Sequence, residues 1–365
     1  MDRKLLKNVE YPILITIILI TILSVLIISS ATHATSSEGS FRTARMQIFW
    51  FGVGLVAMIL MVSIDYHSFA HWSNIIYIVN ILALLLVIFK GEEGGGAQRW
   101  LDMGPFRLQP SEFAKLAIVI TLARHLEKKK SLNSLHDLFS VFIHMTPSML
   151  LIAKQPDLGT SLVLLAIVFG VMFIAGLSYK LLGSIMAAGI LSLPVLWNFL
   201  KPYQKGRILV FINPYLDPLG KGYHVIQSKI AIGSGKIFGK GLYQGTQNQL
   251  DFLPVKHTDF IFAVLGEELG FVGGIVLFIL YFILLYHSLR VAFKARDLLG
   301  TYMVVGVVSM WTFQILVNIG MNVGIMPVTG IPLPFMSYGG SSFLMNMMAA
   351  GLVLNVGMRR QKILF

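Results

Sequence analysis

One stretch of the chain places ionisable residues directly at the start of a long apolar run. Residues 252–268 read FLPVKHTDFIFAVLGEE, so Asp259 lies at the mouth of a predicted membrane helix. Ionisable side chains are costly there and are therefore candidates for function. Asp259 is the strongest candidate, and a helix N-cap formed by Asp259 or Thr258 is the alternative interpretation. Glu267 and Glu268 lie two or more turns further in, where pairing with another helix or contact with water is favoured over catalysis.

Polar residues also precede the fourth predicted membrane segment. Residues 97–100 read AQRW, and residues 109–115 read QPSEFAK. Ser111 is expected to cap the following helix, and Glu112 and Lys115 are spaced i, i+3 on one helix face. This spacing is compatible both with a structural salt bridge and with a ligand site.

Two further polar segments are expected on the same side of the membrane. Asp157, in a tight connection between two segments, is either a turn or cap residue or part of a site. Residues 326–342 contain three prolines and three glycines, which forbid a continuous helix and predict a re-entrant or surface loop lining a cavity. Its serine-rich end, at a helix start, could receive an anion. The convergence of these segments with the Asp259 region favours a site there.

The residue types favour acid–base chemistry. Carboxylates among basic residues at a water–lipid boundary suit general-base activation of a hydroxyl while cations hold a phosphate leaving group. The nine histidines lack the spacing of a metal motif, so no metal ligand is assigned, and His257 is expected to be a hydrogen-bonded partner near the site. No nucleophile elbow for serine catalysis is found. The absence of cysteine excludes thiol chemistry.

The elements that must position these residues are membrane helices. Of the 365 residues, 56% are hydrophobic and 13% charged, with a mean hydropathy of +0.76. We therefore expect an all-α polytopic membrane protein with ten transmembrane helices, forming a single domain over residues 1–365. The ten segments are centred near Ile18, Val56, Leu82, Ile120, Phe142, Val168, Ala188, Leu277, Val308 and Ala349. The first is interpreted as an uncleaved anchor rather than a signal peptide.

Positive charge predicts the orientation. With ten spans, both termini fall in the cytoplasm together with the main basic clusters. These clusters comprise Arg3, Lys4, Lys7, Lys128–Lys130, Arg290, Lys294, Arg296, Arg359, Arg360 and Lys362. The net charge of +12 is explained mostly by cytoplasmic loops at anionic lipid, and nucleic-acid binding has no support.

Residues 201–257 are expected to form one large extracellular loop between spans 7 and 8. Its basic residues outnumber its acidic ones, which indicates either a solvated surface or a surface for anionic head groups or a phosphorylated ligand. Residues 223–237 have the pattern of an interfacial amphipathic helix. The glycine-rich residues 235–241 lack the spacing of a nucleotide-binding phosphate loop.

At these motifs the chain resembles the SEDS family of shape, elongation, division and sporulation proteins. The match extends over nearly the whole chain, and GTQ followed by FLP is similar to the RodA branch rather than the FtsW branch. The matching motifs are AQRW (97–100), QPSEFAK (109–115), QPDLGTS (155–161), GKG (239–241), GTQ (245–247), HTDFIF (257–262), GEELG (266–270), PVTGIPLPF (327–335) and SYGGSS (337–342). Many relatives carry Glu after FLP, where this chain has Val255 and Lys256, so that position is not counted among the site residues.

This resemblance implies a peptidoglycan glycosyltransferase that polymerises lipid II at the outer face of the bacterial cytoplasmic membrane for cell elongation and shape. It implies Asp259 as the essential carboxylate, acting as general base in an inverting transfer. Substrate-binding candidates are Arg99, Trp100, Glu112, Lys115, Asp157, Lys205, Arg207, Lys240, Gln247, His257 and Thr258. Implied partners are lipid II (the undecaprenyl-diphosphate-linked disaccharide peptide), a class B penicillin-binding protein and other membrane proteins of the elongation complex. Cofactors stay open, with a divalent cation such as Mg²⁺ or Mn²⁺ as the candidate.

Two other classes of function remain open at this point. A lipid II flippase or transporter would place charges near the bilayer midplane and carry an internal repeat. Glu267 and Glu268 keep this alternative open, whereas the outer position of most motifs and the lack of a repeat favour an enzyme. A non-catalytic scaffold of the cell-wall synthesis complex fits the topology but leaves Asp259 unexplained.

Overall fold

A computed structural model describes residues 8–33, 41–94, 97–102, 104, 106–129, 135–199 and 202–360. Several basic residues used for the orientation lie outside the described residues, namely Arg3, Lys4, Lys7, Lys130 and Lys362, as does Lys201 at the start of the predicted extracellular loop. In chain order the elements are α1 (Tyr11–Ala31), α2 (Arg42–Ser63), α3 (Tyr66–His71), α4 (Ser73–Lys90), β1 (Glu92–Gly94), β2 (Ala97–Asp102), β3 (Arg107–Leu108), α5 (Pro110–Glu127), α6 (Leu135–Lys154), α7 (Leu158–Ile174), α8 (Tyr179–Phe199), α9 (Pro202–Ile212), a 3₁₀ turn (Pro214–Leu216), α10 (Lys221–Ser234), α11 (Thr246–Gln249), α12 (Ile261–Phe293), α13 (Leu298–Val323) and α14 (Gly340–Met358).

Most of these helices are built for a bilayer. In the described part of the chain, seven helices are long and apolar enough to cross a membrane: α1, α2, α4, α6, α12, α13 and α14. Helix α7 is apolar but shorter. Each of the ten predicted segment centres lies inside a helix, with α5 and α8 accounting for the other two. The chain is a multi-pass, mostly helical membrane protein.

Helices α13 and α14 form the centre of the bundle. In their apolar windows 78% and 83% of residues are buried, against 28% in α2 and 22% in α4. Helices α5, α7 and α12 pack on α13, and α2 packs on α14. Exposed apolar residues on α2, such as Val56 and Ile59, are suited to contact with lipid. The peripheral helices therefore present an apolar surface to lipid, and the buried central helices can hold polar residues in the interior of the bundle.

The all-α prediction needs one correction. Strands β1, β2 and β3 form a small antiparallel sheet in the connection between α4 and α5, with Glu92 opposite Trp100 and Asp102 opposite Arg107. Strands of two to six residues in a glycine-rich connection show no alternation of apolar residues long enough to predict them. The sheet matters because β2 carries Arg99 and Trp100.

The long loop before α12 is partly folded onto the bundle. It contains α9, α10 and α11, and the predicted amphipathic helix is α10, which ends at Ser234. Helix α10 packs on α12 and α13, and the buried Ser228 hydroxyl donates to the Asn322 carbonyl at 2.7 Å. The interpretation as a purely solvated surface is therefore wrong for this part of the loop.

Glycine allows the 235–241 segment to lie directly against α12. The helix is interrupted at Gly270, where φ is 64°. A Cβ atom on Gly270 would lie 2.3 Å from the Gly239 nitrogen, so only glycine fits. The Lys240 N–H donates to the Glu267 carbonyl at 3.0 Å. The glycines of this segment thus serve close backbone packing.

Candidate active site

One cavity brings together residues from distant parts of the chain. Its volume is about 810 Å³. Its walls come from β2 and β3, the starts of α5, α7 and α14, the residues just before α12, the helices α9 and α10, and the connection between α13 and α14. The residues in its wall that could act on a ligand include Arg99, Trp100, Arg107, Gln109, Glu112, Lys115, Asp157, Thr160, Arg207, His224, Thr258, Asp259, Thr329, Tyr338, Ser341 and Ser342.

Asp259 is held in place through its backbone. Its carbonyl accepts hydrogen bonds from the side-chain amides of Asn318 (3.1 Å) and Asn322 (3.0 Å), one turn apart on α13. The Asn322 Oδ1 atom also accepts from the Ala263 N–H at 3.2 Å, in the first turn of α12. Helix α12 starts at Ile261 without a side-chain cap, so the capping interpretation of Asp259 is wrong. Its carboxylate makes no capping bond and is available to a ligand in the cavity.

The surroundings of Asp259 favour its protonated form. Burial raises the pKa of Asp259 to about 6, and the charges of Arg207 and Arg99 partly oppose this rise in pKa. The side chain still reaches the cavity and is only partly covered. No described side chain donates a hydrogen bond to this carboxylate. Gly330, with φ of 76°, lies close above it, since a Cβ there would be 3.6 Å from Asp259 Oδ2.

Glu112 and Lys115 form the predicted salt bridge. The Lys115 Nζ to Glu112 Oε2 distance is 2.8 Å, and the side chains are 1% and 4% exposed for lysine and glutamate respectively. Both residues line the cavity, so the salt bridge is confirmed and the ligand site stays a prediction compatible with it. Because the pair is buried, removal of one partner would leave the other as an unpaired buried charge.

Asp157 caps α7 and also faces the cavity. Its carboxylate accepts from the Thr160 N–H (3.2 Å) and hydroxyl (2.9 Å). Gln109 Nε2 and the Ser111 hydroxyl lie 3.4 Å from Asp157 Oδ2. The prediction of Ser111 as a helix cap is wrong, because Gln109 is the N-cap residue and the hydroxyl turns to Asp157 instead. Asp157 therefore joins the starts of α5 and α7.

Two arginines line the cavity from different elements, Arg99 from β2 and Arg207 from α9. Arg99 Nε donates to the Gln155 carbonyl at 3.2 Å, and Arg99 Nη1 lies 3.8 Å from Asp157 Oδ1. Arg207 Nη1 donates to the Thr329 carbonyl at 3.4 Å. Trp100 and Thr258 also line the cavity. The cavity thus combines cationic side chains with one carboxylate of raised pKa.

The connection between α13 and α14 is irregular and lines the cavity, as its prolines and glycines predicted. Ser341 and Ser342, at the start of α14, face the cavity. The Ser341 hydroxyl accepts from the Gln109 N–H at 3.1 Å and donates to the Arg107 carbonyl at 3.3 Å. A helix start with hydroxyl groups is suited to an anionic group.

Four predicted substrate-binding residues lie outside this cavity. Lys205 Nζ is 5.8 Å from the centre of the Trp197 ring. The Lys240 Nζ and the Gln247 N–H both bind Glu267, at 2.7 Å and 2.9 Å. The His257 ring lies beside Tyr338, with ring centres 5.7 Å apart. The long-range pairing with Glu267, which draws Lys240 and Gln247 away, could not be read from the sequence.

Glu267 and Glu268 have a structural role and hold the long loop before α12 in place. Both are fully buried. Besides Lys240 and Gln247, Glu267 accepts from the Asn248 N–H at 3.1 Å. Glu268 accepts from the Ser30 hydroxyl at 2.5 Å and from Asn248 Nδ2 at 3.0 Å. These bonds tie the long loop and α1 to α12, which agrees with pairing to another helix rather than with catalysis.

Sequence reasoning missed three cavity residues: Arg107, His224 and Tyr338. Burial and the nearby Arg207 lower the pKa of His224, so its ring is neutral at neutral pH. That ring stacks on Phe260, with centres 6.0 Å apart and planes 8° from parallel. Arg107 and His224 stand in no motif, whereas Tyr338 lies in the SYGGSS motif but was not singled out as a site residue. Within the described residues, no group of three or more histidine, aspartate or glutamate side chains is placed to hold a metal ion.

Comparison with known proteins identifies consistent relatives. Residues 10–362 match the family model of FtsW, RodA and SpoVE, described as cell cycle protein. The chain is 41% identical over 344 residues to peptidoglycan glycosyltransferase MrdB of Escherichia coli K12, covering 94% of this chain and 93% of that protein. It is 34% identical over 428 residues to peptidoglycan glycosyltransferase RodA of Treponema pallidum, covering 97% and 98%.

Solved structures show the same architecture. One chain of a peptidoglycan synthase complex that coordinates polymerization and crosslinking superposes with a TM-score of 0.83 at 32% identity, covering 96% of this chain and 98% of that chain. The crystal structure of the rod shape determining protein RodA of Thermus thermophilus superposes with a TM-score of 0.72 at 30% identity, covering 97% and 98%.

Proposed function

The chain belongs to the FtsW, RodA and SpoVE family of cell cycle proteins, and from this premise we propose that it polymerises lipid II in its large cavity. The chain is a peptidoglycan glycosyltransferase, like the relatives that carry that name. The substrate, the residue roles and the orientation in the membrane are our proposals. The main support for these proposals is the position of Asp259. Its carboxyl group has a raised pKa and lines the same cavity as Arg99 and Arg207.

Asp259 is the general base in this proposal. A base is most effective when its pKa lies near the working pH, and burial brings the pKa of Asp259 to about 6. The carboxylate accepts the proton of the 4-hydroxyl of the acceptor N-acetylglucosamine. The oxygen then forms a bond to the anomeric carbon of the donor, the bond to undecaprenyl diphosphate breaks, and the configuration inverts from α to β. The diphosphate leaves with the electron pair.

Cationic residues around Asp259 stabilise the leaving diphosphate. Negative charge grows on it in the transition state, so fixed positive charge lowers the barrier. Arg99, Arg107 and Arg207 line the cavity and are placed for this role. Lys115 is neutralised by Glu112 at 2.8 Å and is better suited to positioning the substrate. We therefore retain Arg99 and Arg207 from the sequence-based candidates and add Arg107.

The finer topology also belongs to this proposal. Ten spans, with both termini in the cytoplasm, place the cavity at the outer face of the membrane, where lipid II is polymerised. Helices at all ten predicted segments and the basic residues at one set of helix ends support this orientation. A lipid-linked substrate could enter such a cavity from the outer leaflet without leaving the bilayer.

We propose a class B penicillin-binding protein as the partner that crosslinks the product, with other membrane proteins of the elongation complex. The support is the similarity to a chain of a peptidoglycan synthase complex that joins polymerization to crosslinking. A polymerase paired with a crosslinking enzyme would hand over its strand as it forms.

The test is polymerisation of labelled lipid II by the purified protein, with and without its class B partner. Asp259→Asn keeps the size of the side chain but cannot accept the proton, so we expect a loss of about 10²–10⁴-fold in rate. Asp251→Asn is the control for loss of a loop carboxylate, because Asp251 is exposed, pairs with Lys256 at 2.8 Å and does not line the cavity. Wild-type rate in Asp259→Asn would remove the carboxylate from the mechanism.

A further inference from the structure

A second polar cavity lies at the opposite end of α5 from the active site. Its volume is about 310 Å³, and its wall includes Ser73, Tyr77, Thr121, Arg124, Lys128 and His144. Arg124 is twelve residues beyond Glu112 on the same helix, so the two sites are about 18 Å apart along its axis. The cavity therefore opens near the other membrane boundary and takes no part in the proposed transfer.

The back wall of this cavity is preformed by stacked rings. His144 lies between Tyr77 and His125, with ring centres 4.7 Å and 5.3 Å away. The Tyr77 hydroxyl donates to the His144 carbonyl at 2.8 Å, and His144 Nε2 is 3.0 Å from the Thr121 hydroxyl. His125 Nε2 is 2.6 Å from the Ser140 hydroxyl. These bonds join α4, α5 and α6, so the cavity is a defined site and not a gap between mobile side chains.

The cavity is electropositive. Arg124 and Lys128 are spaced i, i+4 at the end of α5, and no residue among those described in the cavity wall is acidic. Glu127 pairs with Arg124 at 2.5 Å and offsets part of its charge. Ser73 and Asn74, the first residues of α4, add a hydroxyl and a side-chain amide that can donate hydrogen bonds to a ligand. The cavity is therefore matched to an anionic group such as a phosphate.

The same cavity continues onto a lipid-facing surface. Ile78 lines it, and Ile75, Val79 and Leu82 extend an apolar stripe along α4. These four residues are between 56% and 62% exposed, on a helix apolar enough to cross a membrane. A phosphate in the cavity would place acyl chains along this stripe. We propose that this cavity binds the head group of an anionic phospholipid, with its acyl chains against α4.

Binding of fluorescent phosphatidylglycerol and phosphatidylcholine to the purified full-length protein in detergent tests the proposal. Wild type should bind phosphatidylglycerol more tightly. In Arg124→Gln/Lys128→Gln its affinity should fall about tenfold, since each basic residue at such a surface contributes a few-fold and Glu127 offsets part of Arg124. Binding of phosphatidylcholine should not change. The single variant Lys128→Glu, at an exposed position, must weaken binding in the same direction.

The chain offers a matched control for general surface charge. Arg290→Gln/Lys294→Gln removes two exposed basic residues of the same i, i+4 spacing at the end of α12, away from the cavity. This variant should bind phosphatidylglycerol like wild type. Equal losses in both double variants, or equal binding of the two lipids by wild type, would overturn the proposal. Full displacement by millimolar inorganic phosphate would assign the cavity to soluble phosphate instead, and the lipid assignment would fail.

Discussion

Asp259→Asn should stabilise the protein while it abolishes polymerisation. An aspartate ordinarily has a pKa near 3.8, and burial raises that of Asp259 to about 6. Each pKa unit corresponds to about 1.36 kcal/mol, so keeping the charged carboxylate in the folded protein costs about 3 kcal/mol. Asparagine carries no charge and fills the same space. The carboxylate is therefore kept for function at the expense of stability.

The difference in stability between wild type and Asp259→Asn depends on pH, because the pKa of Asp259 is higher in the folded chain than in the unfolded chain. Below about pH 4 the carboxyl group is protonated in both the folded and the unfolded chain, so wild type and Asp259→Asn should be equally stable. Between about pH 4 and pH 6 only the unfolded chain loses this proton, and the wild type becomes progressively less stable than the variant. Above about pH 6 the difference should be constant.

The assay is unfolding of the purified protein in detergent as a function of pH, for wild type, Asp259→Asn and the control Asp251→Asn. The control loses an ion pair with Lys256 and should therefore gain no stability at pH 8. We expect the unfolding temperature of Asp259→Asn to exceed that of wild type at pH 8 and to match it at pH 4. Polymerisation by wild type should rise with pH through about 6, as the base loses its proton. An Asp259→Asn protein that is no more stable than wild type at pH 8 would refute the raised pKa of Asp259.

The Glu112–Lys115 pair, Gly330 and the membrane orientation can each be tested by substitution. Lys115→Ala should cost about 3–5 kcal/mol of stability, because it leaves Glu112 as an unpaired buried charge. The double variant Glu112→Gln/Lys115→Met should regain most of this stability without regaining polymerisation. Recovery of both stability and polymerisation would make the pair purely structural. Gly330→Ala should lower the polymerisation rate more than Gly176→Ala, because both have positive φ but only Gly330 lies near Asp259; equal rates would show that backbone strain alone matters. A cysteine at Gln244 should react with an impermeant reagent from outside the cell and one at Lys294 should not, and the reverse pattern would invert the proposed orientation.

The sequence was most informative where apolar length and polar motifs are local signals. Apolar runs located all ten helical segments, and the Glu112–Lys115 pair followed from its i, i+3 spacing. It was least informative where partners are distant in the chain. The bond from Ser30 to Glu268 joins residues 238 positions apart, and no pattern in either segment announces it. The burial of the Glu112–Lys115 pair likewise depends on α13, which packs on α5 far along the chain.

The three carboxylates of the cavity differ in the bonds that their oxygens already make, and this difference identifies the base. Glu112 is bound to Lys115 at 2.8 Å, and a proton transferred to it would break a buried ion pair. Asp157 accepts hydrogen bonds from the backbone and hydroxyl of Thr160, which hold the start of α7. Asp259 alone is fixed by its backbone, through Asn318 and Asn322, with its carboxylate exposed to the cavity. It can therefore take up a proton without undoing the structure that positions it, which neither of the other two can do.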